Sequence, residues 1–245
     1  MPARLPLMYT EIAAWFTSLT APEDYAEEAD IYHAAIQQHA HGPTVTLLEL
    51  GAGAGNNASH LKRHYTMTLV DLSPQMSAES RNQNPECEHL IGDMRTIRLG
   101  RAFDIVFIHD AVMYMTSSGD LERALTTAAV HCRPDGLVLV VPDFTKESFA
   151  PSTGHGGHDH PRPMRYLEWT WEPEPGAETF VTDYVYLLRM PDGTARTVYD
   201  RHICGVFDIP TWLAAFDAAG LRDARFEIVT LDSDSTPLSL FLARR

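Results

Sequence analysis

The residues best suited to chemistry are a glycine turn and the acids around it. Glu49-Leu50-Gly51-Ala52-Gly53-Ala54-Gly55 sits where an apolar run turns into a polar, helix-like one. Glycines reach positive φ and let a ligand lie against the main chain. Asp71 follows the first glycine by about 20 residues, the spacing at which a carboxylate ending the next strand can accept both hydroxyls of a ribose. Asp93, in Gly92-Asp93-Met94, follows a third short apolar run. Together they suit a dinucleotide or another adenosine compound held at strand ends. The dinucleotide fingerprint G-x-G-x-x-G/A fits poorly, because its final small position is Asn56 and the third glycine, Gly55, comes one residue early. A plain strand-to-helix turn and, for Asp93, a turn-capping carboxylate are the bland alternatives. A second cluster is His155-Gly156-Gly157-His158-Asp159-His160. Imidazole and carboxylate can bind zinc, iron or nickel. Adjacent ligands on a glycine loop often fail to converge on one ion, so the preferred reading is a solvated or ligand-contacting loop and no metal.

The elements that must carry these groups follow from periodicity. Residues 9–19 and 23–40 read as helices, the second opened by Glu23 and Asp24 and stopped by His41-Gly42-Pro43. Val45–Leu50, Met67–Val70, Glu88–Ile91, Phe103–His109 and Leu137–Val141 read as short apolar strands. Between them, 57–65, the stretch opened by Ser73-Pro74, and 120–132 read as helices. This alternation predicts a mostly parallel sheet with helices on both faces. After Pro142 the pattern changes: 143–163 reads as loop, then 164–171, 179–190 and 194–207 as strands, the last two a hairpin about Pro191-Asp192-Gly193. Helix 210–219 and strands 224–230 and 238–243 restore the first pattern. The predicted organisation is an N-terminal helical cap (1–42), a Rossmann-like core (43–142), an antiparallel β insert (143–207) and a C-terminal completion of the core sheet (208–245).

Composition narrows the partners. The 245 residues carry 19 Lys+Arg and 33 Asp+Glu, a formal net charge of −14, against which 12 His stand out. Such acidity disfavours nucleic acid and anionic membrane as partners. Cys87, Cys132 and Cys204 are odd in number and far apart, so no disulfide framework is expected. The opening residues make a poor signal peptide and no apolar run approaches a membrane span, so the expectation is a cytoplasmic chain.

On these motifs the sequence resembles the class I S-adenosylmethionine (SAM) dependent methyltransferases. Their acid-x-G-x-G-x-G motif matches Glu49 to Gly55, their ribose acid Asp71, and their adenine-contacting acid Asp93 with Met94. Their fourth-strand segment matches Phe103-Asp104-Ile105-Val106, and Cys132-Arg133-Pro134-Asp135-Gly136 is a degenerate L-x-P-G-G. The resemblance covers about 45–141 and 208–245 and implies a seven-stranded sheet, its last strand antiparallel, with SAM as methyl donor. It further implies a cofactor site of Glu49, Gly51, Ala52, Gly53, Gly55, Asp71, Leu72, Met76, Gly92, Asp93, Met94 and His109, covered by Tyr9 and Tyr25.

More narrowly, the layout resembles bacterial amino-sugar N-methyltransferases. The shared features are Met8-Tyr9, Asp24 to Ala29, Gly92-Asp93-Met94-Arg95, Pro134-Asp135-Gly136, Phe149-Ala150-Pro151 and Ala218-Ala219-Gly220-Leu221. The match departs at His109–Met115 and at the His-rich start of the insert, where an acceptor is expected. His109 borders the methyl position in this fold and is a candidate general base, its free pKa being near 6.5; a rim residue without a proton role is the alternative. Tyr114 is a second catalytic or acceptor-binding candidate. Further acceptor candidates are His155, His158, Tyr166, Trp169, Arg201 and His202. The expected activity is in-line methyl transfer from SAM to an N or O atom of a small molecule, such as an amino sugar or another secondary metabolite. A non-catalytic SAM-binding protein and a nicotinamide-dependent oxidoreductase are the alternatives. The insert is expected to form an acceptor lid or a homodimer surface.

Overall fold

The computed structural model describes residues 5–42, 44–233 and 237–245. Pro43, the expected helix stop, lies outside the described residues. The N-terminal part is less helical than expected. Residues 9–19 become 3-10 turns at Leu7–Tyr9 and Ala13–Trp15 and a four-residue helix, α1 (Phe16–Leu19), because no side chain caps these starts. A 3-10 turn at Pro22–Tyr25 then leads into α2 (Ala26–His39).

The core alternates β1 (Thr46–Leu50), α3 (Asn56–Leu61), β2 (Thr66–Asp71), α4 (Pro74–Gln83), β3 (Glu88–Ile91), β4 (Phe103–His109), α5 (Ser118–His131) and β5 (Cys132–Val141). Ser73 caps α4 by accepting the Met76 N–H at 3.1 Å, with Pro74 at the first helical position, as the sequence predicts. β5 starts earlier than expected, absorbing the Arg133–Gly136 turn. An insert of β6 (Ser152–Gly156), β7 (Met164–Trp171), β8 (Thr179–Arg189) and β9 (Ala195–Gly205) follows, then α6 (Ile209–Ala218), β10 (Arg222–Thr230) and β11 (Pro237–Arg244). β6 corrects the reading of 143–163 as loop. Its glycines and histidines have weak strand propensity, and it forms by pairing antiparallel with β7, Gly154 opposite Glu168 and His155 opposite Leu167.

The first sheet has seven strands in the order β10-β11-β5-β4-β1-β2-β3, and β11 is antiparallel to both neighbours. Its strands are apolar on both faces because both are covered. In β4, Val106 and Ile108 join a core with Leu121, Leu125 and Trp212, while Ile105 and Phe107 join another with Tyr32, Ile36 and Leu61. Asp104 ties two strand starts together: its carboxylate accepts the Val45 and Thr46 N–H groups and pairs with Arg133 at 2.5 Å. The second sheet, order β6-β7-β8-β9, is wholly antiparallel. No helix among the described residues is long and apolar enough to cross a membrane.

Candidate active site

The parallel core strands place their carboxyl ends on one edge, so residues far apart in sequence meet there: Glu49 and the glycine turn after β1, Asp71 ending β2, Asp93 just beyond β3, His109 ending β4 and Asp143 just beyond β5. This is the crevice at which open α/β sheets bind ligands.

The glycine turn is built to pass close to its neighbours. Gly51, Gly53 and Gly55 all have positive φ, at 81°, 54° and 79°. A Cβ on Gly51 would come within 2.4 Å of Ala111 Cβ and 2.8 Å of Met94 Cε, so a side chain is excluded there. Gly53 has only Met76 Cε, at 3.8 Å, near its missing Cβ, leaving that side open for a ligand. Asp71 organises the turn. Its Oδ2 accepts the Gly53 N–H and its Oδ1 the Ser73 N–H, both at 2.8 Å. Burial raises its pKa, and these backbone donors oppose the rise. Ser73 also donates to the Tyr9 carbonyl at 2.5 Å, fastening the N-terminal segment over the turn. Tyr9 and Phe16 pack there on Ala13, Ala54 and Met76.

Glu49 is 2 % exposed, and its Oε2 has no hydrogen-bond partner. Burial pushes its carboxyl up to about 8, with the nearby His109 opposing and Asp71 reinforcing the rise. A buried acceptor of this kind fits a cationic ligand. Asp93 behaves differently. Arg95 grips both its oxygens, at 2.6 and 2.9 Å, and also reaches Asp120 at 3.4 Å, holding the Asp93 carboxyl below its ordinary range. Leu72 is exposed beside Asp71, and Met94 is buried against Gly51.

Two clusters flank the glycine turn. On the core side, His109 Nε2 lies 3.3 Å from Glu28 and 3.2 Å from Asp110, with the rings of Tyr25 and Tyr32 at 6.1 and 5.4 Å. The Asp110 carboxyl faces that of Asp143, and each alters the other's acidity. Enclosure by protein and the Glu28 charge push Asp110 up to about 7, and Asp143 well above the carboxylate range. Both keep accessible surface despite that enclosure, as do Tyr9, Tyr25 and Tyr114, so the surface they expose is cleft surface. On the insert side, the Tyr9 and Tyr114 hydroxyls are 2.8 Å apart, Tyr114 lies 2.7 Å from His202 Nδ1, and His202 Nε2 lies 3.2 Å from Asp200. Asp200 has no precedent among the sequence candidates. Its only signal was the i, i+2 spacing to His202, which puts both on one face of a strand.

Strand alternation corrects three expectations. Trp169 and Arg201 lie on the face of the insert turned away from the cleft. Trp169 is 55 % exposed, and Arg201 pairs with Asp183 at 2.7 Å beneath Trp171. His155, opposite Leu167, shares that face. Tyr166, one residue along, is on the inner face, packed with Met8 and Tyr186. His158, Asp159 and His160 are exposed; His158 lies 3.7 Å from Asp24, and Asp159 is held by Arg165. Among the described residues no three potential ligands converge on a metal position. Two surface hollows of about 300 and 210 Å³ are lined by none of the residues at the carboxyl ends of the core strands. The larger lies at the opposite sheet edge, by Gly100 and His131.

The comparisons agree with this geometry. A methyltransferase domain model matches residues 47–136. A dTDP-3-amino-3,6-dideoxy-alpha-D-glucopyranose N,N-dimethyltransferase from Streptomyces fradiae is 29 % identical, over 81 % of this chain and 78 % of that protein. A trans-aconitate 2-methyltransferase from Escherichia coli is 28 % identical, over 71 % of this chain and 66 % of that protein. The crystal structure of DesVI from Streptomyces venezuelae superposes with a TM-score of 0.78 at 25 % identity, covering 95 % and 96 % of the two chains. Fold, strand-end site and domain match together define a class I methyltransferase. The chain carries this methyltransferase domain and is similar to SAM-dependent methyltransferases that act on amino sugars.

Proposed function

We propose that this enzyme transfers the methyl group of SAM to the amine nitrogen of a small amino sugar. The observation that carries this reading is the acidic lining of the cleft: Glu28 and Asp110 approach His109, Asp143 stands beside Asp110, and Glu49 lies buried behind. A cation entering this lining favours ionisation of the carboxyls it meets and is then held by their charge, whereas a carboxylate meets like charge, so the lining favours an amine acceptor over a carboxylate one. In this reading Asp71 holds the ribose hydroxyls, Asp93 meets the adenine edge from within its Arg95 pair, and Gly51 to Gly55 cradle the amino-acid portion. Tyr9 and Tyr25 cover the cofactor. Bound there, SAM supplies an electrophilic methyl group on a sulfonium. An aliphatic amine reaches the site largely as its ammonium ion, and Asp110, its acidity weakened to near neutrality, takes the proton and frees the lone pair. His109 orients Asp110, and closeness and alignment contribute much of the rate.

The outer face of the insert exposes Leu167, Trp169, Val185, Leu187, Tyr199 and Ile203 around the neutral Arg201–Asp183 pair. We assign it to a second copy of this chain, since two such faces pack apolar on apolar without opposing net charge.

Titration of the protein with SAM and with NAD tests the cofactor, and release of S-adenosylhomocysteine with amine and carboxylate acceptors tests the class. The expected result is SAM binding and turnover with amines. NAD binding without SAM binding, or turnover with carboxylates alone, overturns the reading.

A further inference from the structure

The insert-side cluster is a single unbranched string, and its hydrogen-bond directions can be derived. Asp200 and His202 are both buried, at 5 % exposure each. The Asp200 Oδ2 accepts the Met8 N–H at 2.8 Å as well as facing His202 Nε2. Burial opposes its charge, but His202 and the Leu7 and Met8 amides hold its carboxyl below the ordinary range. A carboxylate only accepts, so in the neutral ring the proton sits on Nε2 and Nδ1 is left as an acceptor. Tyr114, 2.7 Å away, must then donate to Nδ1. With its one proton spent, the Tyr114 oxygen can only accept from Tyr9, at 2.8 Å. Burial raises both phenols above their ordinary range, so both keep these protons.

We propose that Asp200 and His202 are positioning residues that set the polarity of this string, so that Tyr9 and Tyr114 turn only lone pairs toward the cleft and select an acceptor presenting N–H or O–H there. The string joins three parts of the chain that meet only in the fold: the N-terminal segment (Met8, Tyr9), the rim after β4 (Tyr114) and the return strand β9 of the insert. Its role rests on the amine-methyltransferase reading, but its polarity does not.

The test is the tautomer of His202. In protein labelled with ¹⁵N-histidine, its ring signals are assigned by their loss in His202→Gln. The expected wild-type result is a proton on Nε2 and a bare Nδ1; a proton on Nδ1 overturns the proposal. Asp200→Leu keeps the bulk and removes the oxygen that accepts both Met8 N–H and His202 Nε2–H. With no acceptor left at Nε2, the ring proton moves to Nδ1, where Tyr114 accepts it, and the string reverses, aiming the Tyr9 hydroxyl into the cleft. The expected kinetic effect is a loss of kcat/KM for an amine acceptor of at least about tenfold, with SAM affinity unchanged and a matching loss in Tyr114→Phe. A switched tautomer with full kcat/KM overturns the selective role while leaving the methyltransferase reading intact. Failure of the wild-type protein to bind SAM or turn over amines overturns that reading, and the role with it, whatever the tautomer. If Asp200→Leu does not fold, the wild-type tautomer and Tyr114→Phe still decide the matter.

Discussion

Asp71 has two tasks that one pair of substitutions can separate. In the free protein its two oxygens accept the Gly53 and Ser73 N–H groups at 2.8 Å each, shaping the glycine turn and the start of α4. Asp71→Ala leaves both donors to water. The residue is only half-buried, so each lost bond is worth about 0.5–1.5 kcal/mol, or ~1–3 kcal/mol together. For a chain of this size that lowers Tm by roughly 2–12 °C. The ribose adds a separate loss. Two hydroxyls that would donate to an anionic acceptor forfeit about 1.5 kcal/mol or more each, so the Kd for S-adenosylhomocysteine rises by at least about a hundredfold. Asp71→Asn keeps one acceptor oxygen, so it falls between wild type and Ala in Tm and loses one ribose bond. Calorimetric titration alongside thermal unfolding reads both quantities. A lowered Tm with unchanged Kd in the Ala variant would refute the ribose assignment, and an unchanged Tm would refute the structural task.

Other outcomes follow from the same residues. The Glu49 carboxyl, raised by burial to about 8, binds a proton in the folded state that the unfolded state releases near its ordinary value of 4.5. Its contribution is present below about pH 4.5 and lost as pH rises to about 8. Glu49→Gln therefore raises the Tm of the free protein more at pH 8 than at pH 5, and equal shifts at the two pH values would contradict the assignment. With Asp110 pushed up to about 7, kcat/KM for an amine climbs as pH rises through that value. The climb flattens in Asp110→Asn, and a variant that keeps the wild-type profile shows that another group takes the proton. His109→Ala slows amine turnover by less than about tenfold, because its imidazole supports Asp110; a loss beyond about a hundredfold would make it the base itself. Trp169→Arg on the outer face of the insert yields a monomer by light scattering, and an unchanged mass for both proteins rules out the proposed dimer surface.

How much of this was legible beforehand differs from one part of the molecule to the next. Glu49, the glycine turn, Asp71 and Asp93 could be read directly, because each depends on local rules: an apolar run that must be a buried strand, a turn only glycine can make, an acid at a strand end. The antiparallel last strand came with the family resemblance. The N-terminal helix was overcalled because its apolar spacing suits a helix, yet its starts lack caps. β6 was missed because an edge strand of glycine and histidine has no pattern of its own.

The sequence by itself determined the class of ligand and the edge of the sheet that holds it, since parallel strands joined by helices must bring their carboxyl ends together. Only the tertiary structure decided what surrounds the acceptor. In the insert both alternating sets along each strand carry aromatic and apolar side chains, so periodicity shows that Asp200 and His202 share a face and Arg201 does not, but not which face turns inward. Docking of the N-terminal segment onto that sheet settles it, joining Met8 and Tyr9 to Asp200, His202 and Tyr114. The meeting of Asp110 with Asp143 likewise depends on β4 and β5 lying side by side, a long-range pairing that no spacing in the chain encodes.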